Sequence, residues 1–135
     1  MKIDYKAQLP DEDSFFELFA TTGWNDEVAK SREELFWSIT NSWYVVTAYK
    51  DEELVGFGRI ISDGYLHAII ADMIIAPVYK KQGIGKEILK LLVQEAKAQE
   101  IVNIRLFATN DNRTFYLKNG FIDCSDSLLG MEYKF

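Results

Sequence analysis

Residues 69–86 read Ile69-Ile70-Ala71-Asp72-Met73-Ile74-Ile75-Ala76-Pro77-Val78-Tyr79-Lys80-Lys81-Gln82-Gly83-Ile84-Gly85-Lys86, and the fold is decided by how this stretch changes character along its length. The first part is almost wholly apolar, the pattern of a strand covered on both faces. Ala76-Pro77 ends it, because proline has no amide for a ladder. A basic turn bearing glycines follows, and after it comes a long helix. A strand, a turn of open amides and a helix start together make a natural seat for a phosphate or pyrophosphate. Gly83 lets an anion approach the main chain. The first helical amides have no partner within the helix, and the helix dipole adds partial positive charge there. Lys80, Lys81 and Lys86 surround the same place. A tight turn with solvated lysines is the plain alternative.

Outward from this stretch, the chain reads as alternating elements. Met1–Lys6 alternates as a strand. Asp11-Glu12-Asp13-Ser14 offers caps for a helix carrying Phe15, Phe16, Leu18 and Phe19 and ending near Gly23. Ser31-Arg32-Glu33-Glu34 has the capping-box spacing and opens a second helix to about Asn41, with Leu35, Phe36 and Ile39 inward. Trp43–Lys50, Leu54–Ser62 and Tyr65–Ile75 are strands. The helix over Gly83–Gln99 sets Ile84, Ile88, Leu91, Leu92 and Ala96 on one side, broadened by Leu89 and Val93. Ile104–Ala108 is a short strand, and Asn112–Asn119 a short helix stopped at Gly120. Phe121–Cys124 and Gly130–Phe135 close the chain as strands. The order β-α-α-β-β-β-α-β-α-β-β is a mixed α/β fold.

The chain has 135 residues, 48% hydrophobic and 14% aromatic, which points to a single domain with a core of ordinary size. The one cysteine, Cys124, permits no internal disulfide and no zinc spacing, so no metal is expected and a reducing cytoplasm fits. Met1-Lys2-Ile3-Asp4 does not start a signal peptide, and no apolar run approaches the ~20 residues that span a bilayer. The net charge of -6 argues against nucleic-acid and anionic-membrane partners, which demand a basic face. A basic patch on an acidic protein suits a small anionic ligand, and the acidic remainder tolerates a cationic amine.

Lys80-Lys81-Gln82-Gly83-Ile84-Gly85 resembles the acyl-CoA-binding motif of the GNAT superfamily of N-acetyltransferases, Q/R-x-x-G-x-G/A, with Lys80 in place of the first Gln or Arg. Lysine keeps a charged donor without the planar fork of arginine. Asp72–Pro77 resembles the family's fourth strand, and Phe115-Tyr116-Leu117-Lys118-Asn119-Gly120-Phe121 resembles its second landmark, F-Y-x-K-x-G-F. The resemblance runs from Ile3 to Phe135 and is sharp over these segments. It implies a central mixed, mostly antiparallel sheet flanked by helices. It also implies acetyl-CoA as co-substrate, and transfer of the acetyl group to a primary amine of a small molecule by direct attack in a ternary complex. A non-catalytic acyl-CoA-binding sensor of the same fold is the alternative.

That reaction needs a proton acceptor, an oxyanion donor and an acid for the departing thiolate. The resemblance puts Tyr116 at the acid. It puts a bulge in the fourth strand, with the Met73 amide at the acetyl carbonyl, Ile75 along the pantetheine arm and Ile74 between them among the cofactor-binding residues. Gln82, Ile84, Gly85 and Lys86 complete the phosphate seat. Asp72 matches a common family aspartate, either a structural ligand or a base or substrate carboxylate; strict alternation sets it with Ala68, Ile70 and Ile74, and a bulge would break that parity. The position of a base glutamate in some members is Ile69 here. His67, the one histidine, and a water chain are the other bases. The usual CoA-contacting asparagine falls on Thr109, with Asn110 as the nearby candidate and Asn112 next to it; both asparagines also suit turns and caps. For the acceptor, Trp24 is either a lid or a loop anchor, and Arg59 either pairs an acidic substrate group or lies on the surface. A sheet edge near Gly130–Phe135 offers a place for a second copy, a homodimer.

Overall fold

Five strands form one sheet in the order β1 (Asp4–Lys6), β2 (Tyr44–Lys50), β3 (Glu53–Ser62), β4 (His67–Ile75) and β5 (Asn103–Leu106). The computed structural model describes residues 2–135. β1 to β4 pair antiparallel in sequence order. The helices are α1 (Glu12–Ala20), α2 (Asn25–Val28), α3 (Arg32–Thr40), α4 (Ile84–Ala98) and α5 (Arg113–Lys118). The chain divides into two units, one ending at Arg105 and one running from Leu106 to Phe135. The mixed α/β class, with a mostly antiparallel sheet flanked by helices, is the expected one.

Local chemistry sets the helix starts. Asp11 caps α1 by accepting from the Ser14 amide at 2.9 Å. Ser31 and Glu34 close a full capping box on α3: Ser31 Oγ accepts from the Glu34 amide and Glu34 Oε1 from the Ser31 amide, both at 3.1 Å. Two donors that the helix cannot satisfy are thereby paired. Ser31→Ala is expected to lower stability by about 1 kcal/mol, read as a shifted urea midpoint with an unchanged slope.

Each face of the sheet has its own cover. Phe15, Leu18 and Phe19 of α1 and Leu35 and Ile39 of α3 pack with Val45, Leu54, Phe57 and Ile74 on one side. On the other side α4 buries Ile84, Ile88, Leu89, Leu92 and Ala96. It comes down on bare backbone: a Cβ on Gly56 would stand 2.9 Å from Ile88 Cδ1, and one on Gly58 would stand 2.8 Å from Ile88 Cγ2 and 2.7 Å from Met73 Sδ. Thr47 is the buried polar residue of β2; its hydroxyl donates to Lys6 O at 3.2 Å and Gln8 O at 3.3 Å, tying the β1 edge down.

Two expectations are corrected. Asn25–Val28 forms a short helix in the connection between the two helices expected from the sequence. Phe121–Cys124 and Gly130–Phe135 are not strands. After α5 the backbone turns at Gly120 (φ +95°) and the Phe121 amide returns to Tyr116 O at 3.1 Å. Asp123 Oδ1 then accepts from the Ser125 amide at 2.9 Å, and the Leu128 amide donates to Cys124 O at 2.7 Å. These local bonds compete with a ladder and win, because alternation alone supplies no partner strand to fix a register. Met131, Tyr133 and Phe135 are left 91%, 79% and 111% exposed.

Candidate functional site

β4 breaks its own alternation at Asp72. Arg59 of β3 pairs with Ala71 and Phe57 with Ile74, so Gly58 alone stands opposite Asp72 and Met73. This is a bulge: one strand carries an extra residue and the ladder is locally interrupted. The backbone agrees, with Asp72 in the left-handed region at φ +54°, a conformation that aspartate tolerates better than most residues but that still costs energy. The bulge resolves the parity left open by the sequence. Beyond it Ile74 joins the α1 and α3 core, while Met73 lies by Gly58 on the α4 side. The Asp72 carboxylate turns to Arg59, whose Nε donates to Oδ2 at 2.7 Å. Arg59 Nη1 also donates to Ser38 O at 3.1 Å and Ser42 Oγ at 3.4 Å, at the end of α3.

The connection from β4 to α4 is pinned along its length. The Ala76 amide donates to Val55 O at 2.8 Å, the Tyr79 amide to Ala76 O at 2.8 Å, and the Tyr79 hydroxyl to Glu53 Oε1 at 3.0 Å. Pro77–Tyr79 makes a 3-10 turn. Lys81 (φ +63°) and Gly83 (φ +87°) then take left-handed backbone in the approach to α4. Among the described residues, the amides of Lys81 to Lys86 donate to no protein acceptor; the first helical bond is Glu87 N to Gly83 O at 3.1 Å. Beyond its own chain neighbours, no atom of the described residues lies within 4 Å of a Cβ position on Gly83. Lys80, Lys81, Gln82 and Lys86 are exposed. A run of unused donors at a helix start, ringed by lysines, favours an anion.

A groove opens on the α1–α3 side of the bulge. One cavity of about 430 Å³ is lined by Phe19, Val28, Leu35, Trp37, Arg59 and Asp72, among others. A second, of about 360 Å³, is lined by Phe19, Gly23, Trp24, Glu27, Val28 and Asp72, among others. The two share Phe19, Val28 and Asp72, which sets the aspartate where they meet. Trp24 both packs edge-on against Phe19, ring centres 5.7 Å apart, and faces the second cavity. Three carboxylates, Glu27, Glu34 and Asp72, face two cations, Lys30 and Arg59. Lys30 lies 3.8 Å from Glu34 and Arg59 2.7 Å from Asp72, so Glu27 has no ion-pair partner among the described residues. His67 is exposed at the start of β4, about 16 Å along the strand from Asp72 at ~3.3 Å per residue.

Within residues 106–135, Tyr116 is 8% exposed. Its ring packs edge-on against Phe115 at 5.1 Å and Phe121 at 5.9 Å. Burial raises its pKa above the ordinary tyrosine value, which keeps the phenol protonated and able to donate. Asn110 is exposed. Asn112 Oδ1 accepts from the Thr109 amide at 2.8 Å, the turn role that was its plainer alternative.

Sequence reasoning missed Gly58, Glu27, Trp37 and the Lys30–Glu34 pair. The signals were present: two glycines inside a strand mark a bulge or a close approach, and Lys30 and Glu34 have i,i+4 spacing. Among the described residues no cluster of His, Cys, Asp or Glu is arranged to hold a metal ion, and no helix is long and apolar enough to cross a membrane.

The profile of the Acetyltransferase (GNAT) family matches residues 10–121. The chain is 33% identical over 119 residues to the uncharacterized N-acetyltransferase ycf52 of Pyropia yezoensis, a match covering 85% of this chain and 67% of that protein. It is 31% identical over 84 residues to GCN5-related N-acetyltransferase 1, chloroplastic, of Arabidopsis thaliana, covering 62% of this chain and 43% of that one. The fold superposes on a probable acetyltransferase of Staphylococcus aureus with a TM-score of 0.85 and 25% identity, over 99% of this chain and 100% of the other. The fold of a predicted acetyltransferase with acetyl-CoA from Clostridium acetobutylicum also matches, with a TM-score of 0.72 and 22% identity over 97% and 96% of the two chains. A profile match across most of the chain thus meets a bulged fourth strand that leads into an open helix start, and the protein belongs to the acetyltransferase (GNAT) family.

Proposed function

We propose that residues 1–135 act as one N-acetyltransferase domain that moves the acetyl group of acetyl-CoA to a primary amine of a small molecule, by direct attack in a ternary complex. The observation that carries the reading is the unbroken run from the bulge at Asp72–Met73 to the unused amides of Lys81–Lys86. One end of the run suits a developing oxyanion and the other suits a pyrophosphate. Lys80, Lys81, Gln82, Gly83, Ile84, Gly85 and Lys86 take the phosphates, Ile75 takes the pantetheine arm beside the main chain of Ile74, and Asn110 takes a further contact with CoA. The amine enters the groove beside Trp24, Arg59 and Asp72. Its nitrogen attacks the thioester carbon, and the Met73 amide donates to the resulting oxyanion. Asp72, whose Oδ1 accepts no hydrogen bond from the described residues, receives the proton released by the amine. The carbon–sulfur bond breaks, and Tyr116 protonates the thiolate.

For the compartment we keep a reducing aqueous one, either the cytoplasm or, given relatives named chloroplastic, a plastid; a fluorescent fusion decides between them. The homodimer is tested by sedimentation.

Calorimetric titration with acetyl-CoA, followed by thiol release with a panel of amines, tests the reading. Micromolar binding with thiol release is the expected result. Binding without release would leave a sensor of the same fold, and absent binding would reduce Lys80–Gly85 to a turn. Gly83→Asp is expected to weaken acetyl-CoA binding tenfold or more, because it places a carboxylate where charge-assisted bonds to phosphate form, each worth about 1.5–3 kcal/mol. Equal affinity in a variant with an unchanged melting curve would remove the anion seat.

A further inference from the structure

Arg59 bonds both the bulge in β4 and the end of α3, which forms one wall of the groove. Its Nε holds Asp72 Oδ2 at 2.7 Å, and its Nη1 donates to Ser38 O and Ser42 Oγ at the end of α3. The side chain is only 14% exposed. Its Nε and Nη1 are committed in this way, and only the two N–H groups of Nη2 have no partner among the described residues. Its main-chain register faces Ala71, the residue just before the extra one in β4.

We infer that Arg59 is a positioning residue that acts through Asp72: it holds the left-handed backbone of the bulge, and so fixes where the Met73 amide and the Asp72 carboxylate point. The inference rests on the acetyl-transfer reading above and replaces the expectation that Arg59 pairs an acidic group of the substrate. Three observations converge. Asp72 sits at φ +54°, a conformation a strand residue does not keep without support. The residue opposite it is Gly58, which offers no side chain of its own, so support comes from the neighbour at Arg59. The same guanidinium reaches α3, which carries Leu35, Trp37 and Ser38 of the groove lining, so the acceptor wall and the bulge are set by one group. Misplacement of a reacting group by about 1 Å is enough to cost on the order of a hundred-fold in rate.

The test compares Arg59→Met, Arg59→Lys, Asp72→Asn and the double variant Arg59→Met/Asp72→Asn with the parent protein. It measures kcat, KM for the amine and Kd for acetyl-CoA, with a melting curve for each. Arg59→Met is expected to lower kcat about ten- to a hundred-fold, with KM for the amine and Kd for acetyl-CoA nearly unchanged. Arg59→Lys is expected to recover part of the loss, since it restores the charge without the fork. The double variant is expected to be no worse than the poorer single variant, because both changes break one interaction. A raised KM with kcat preserved would overturn the inference in favour of a substrate contact, and so would losses that multiply in the double variant. Should Arg59→Met fail to fold, Arg59→Lys decides: a lower kcat at constant KM supports positioning, and an unchanged kcat overturns it. A parent protein that turns over no amine sinks the acetyl-transfer reading itself, whereas an active parent with independent variants sinks this inference alone.

Discussion

Tyr116→Phe is expected to lower turnover about a hundred-fold while leaving acetyl-CoA affinity within a factor of two. The variant removes one oxygen and its proton, and keeps the ring that packs between Phe115 and Phe121. Packing is therefore conserved and the proposed acid is lost, an effect of the size seen for positioned acid–base groups. The pH profile gives a second check. Burial raises the Tyr116 pKa, so the acid form persists to beyond the ordinary tyrosine value of about 10. The alkaline fall of kcat that belongs to this group lies above that value in the parent protein and is absent in Tyr116→Phe. Unchanged turnover would take Tyr116 out of the mechanism.

Phe57→Ala is expected to cost about 3–5 kcal/mol of folding stability, the range for a large aromatic cut from a core. Phe57 is fully buried, and its ring meets Phe15 edge-on with centres 4.9 Å apart. Its removal opens a cavity in the core it shares with α1 and α3. Total stabilities lie near 5–15 kcal/mol, so this one change removes a large share. A lowered urea midpoint with an unchanged slope is the expected measurement; a loss below about 1 kcal/mol would mean that the core collapses onto the gap.

The helix starts, the α4 stripe and the run from strand to turn to helix were legible because each is written in contiguous residues. Ser31 and Glu34 meet across one turn, and Ile84, Ile88 and Leu92 repeat at the helical period. The bulge position was legible only through the family resemblance; the cue in the residues, Gly56 and Gly58, lies in a different strand from Asp72. The partner of Asp72 was harder still, because Arg59 lies 13 residues away in another strand and only the register between β3 and β4 brings them together. The two closing strands failed for the same reason in reverse: Met131, Tyr133 and Phe135 alternate well, but alternation says nothing about whether a neighbour is there. Glu27 and Trp37 reach the groove through the short α2 and the turn of α3, which no period of apolar residues reveals.

The interval from Met73 to Lys81 is tied at both ends and along its middle, by the bulge, by the Ala76–Val55 and Tyr79–Glu53 bonds, and by α4 resting on the two glycines of β3. In the proposed reaction it would therefore work as a ruler. Its length would fix how far a thioester at one end stands from a pyrophosphate at the other, a span that no side chain adjusts. A loop on the surface tolerates an added residue at little cost; under the proposed acetyl transfer, an added or deleted residue here would shift the donor molecule by a whole notch and put its reactive bond out of reach.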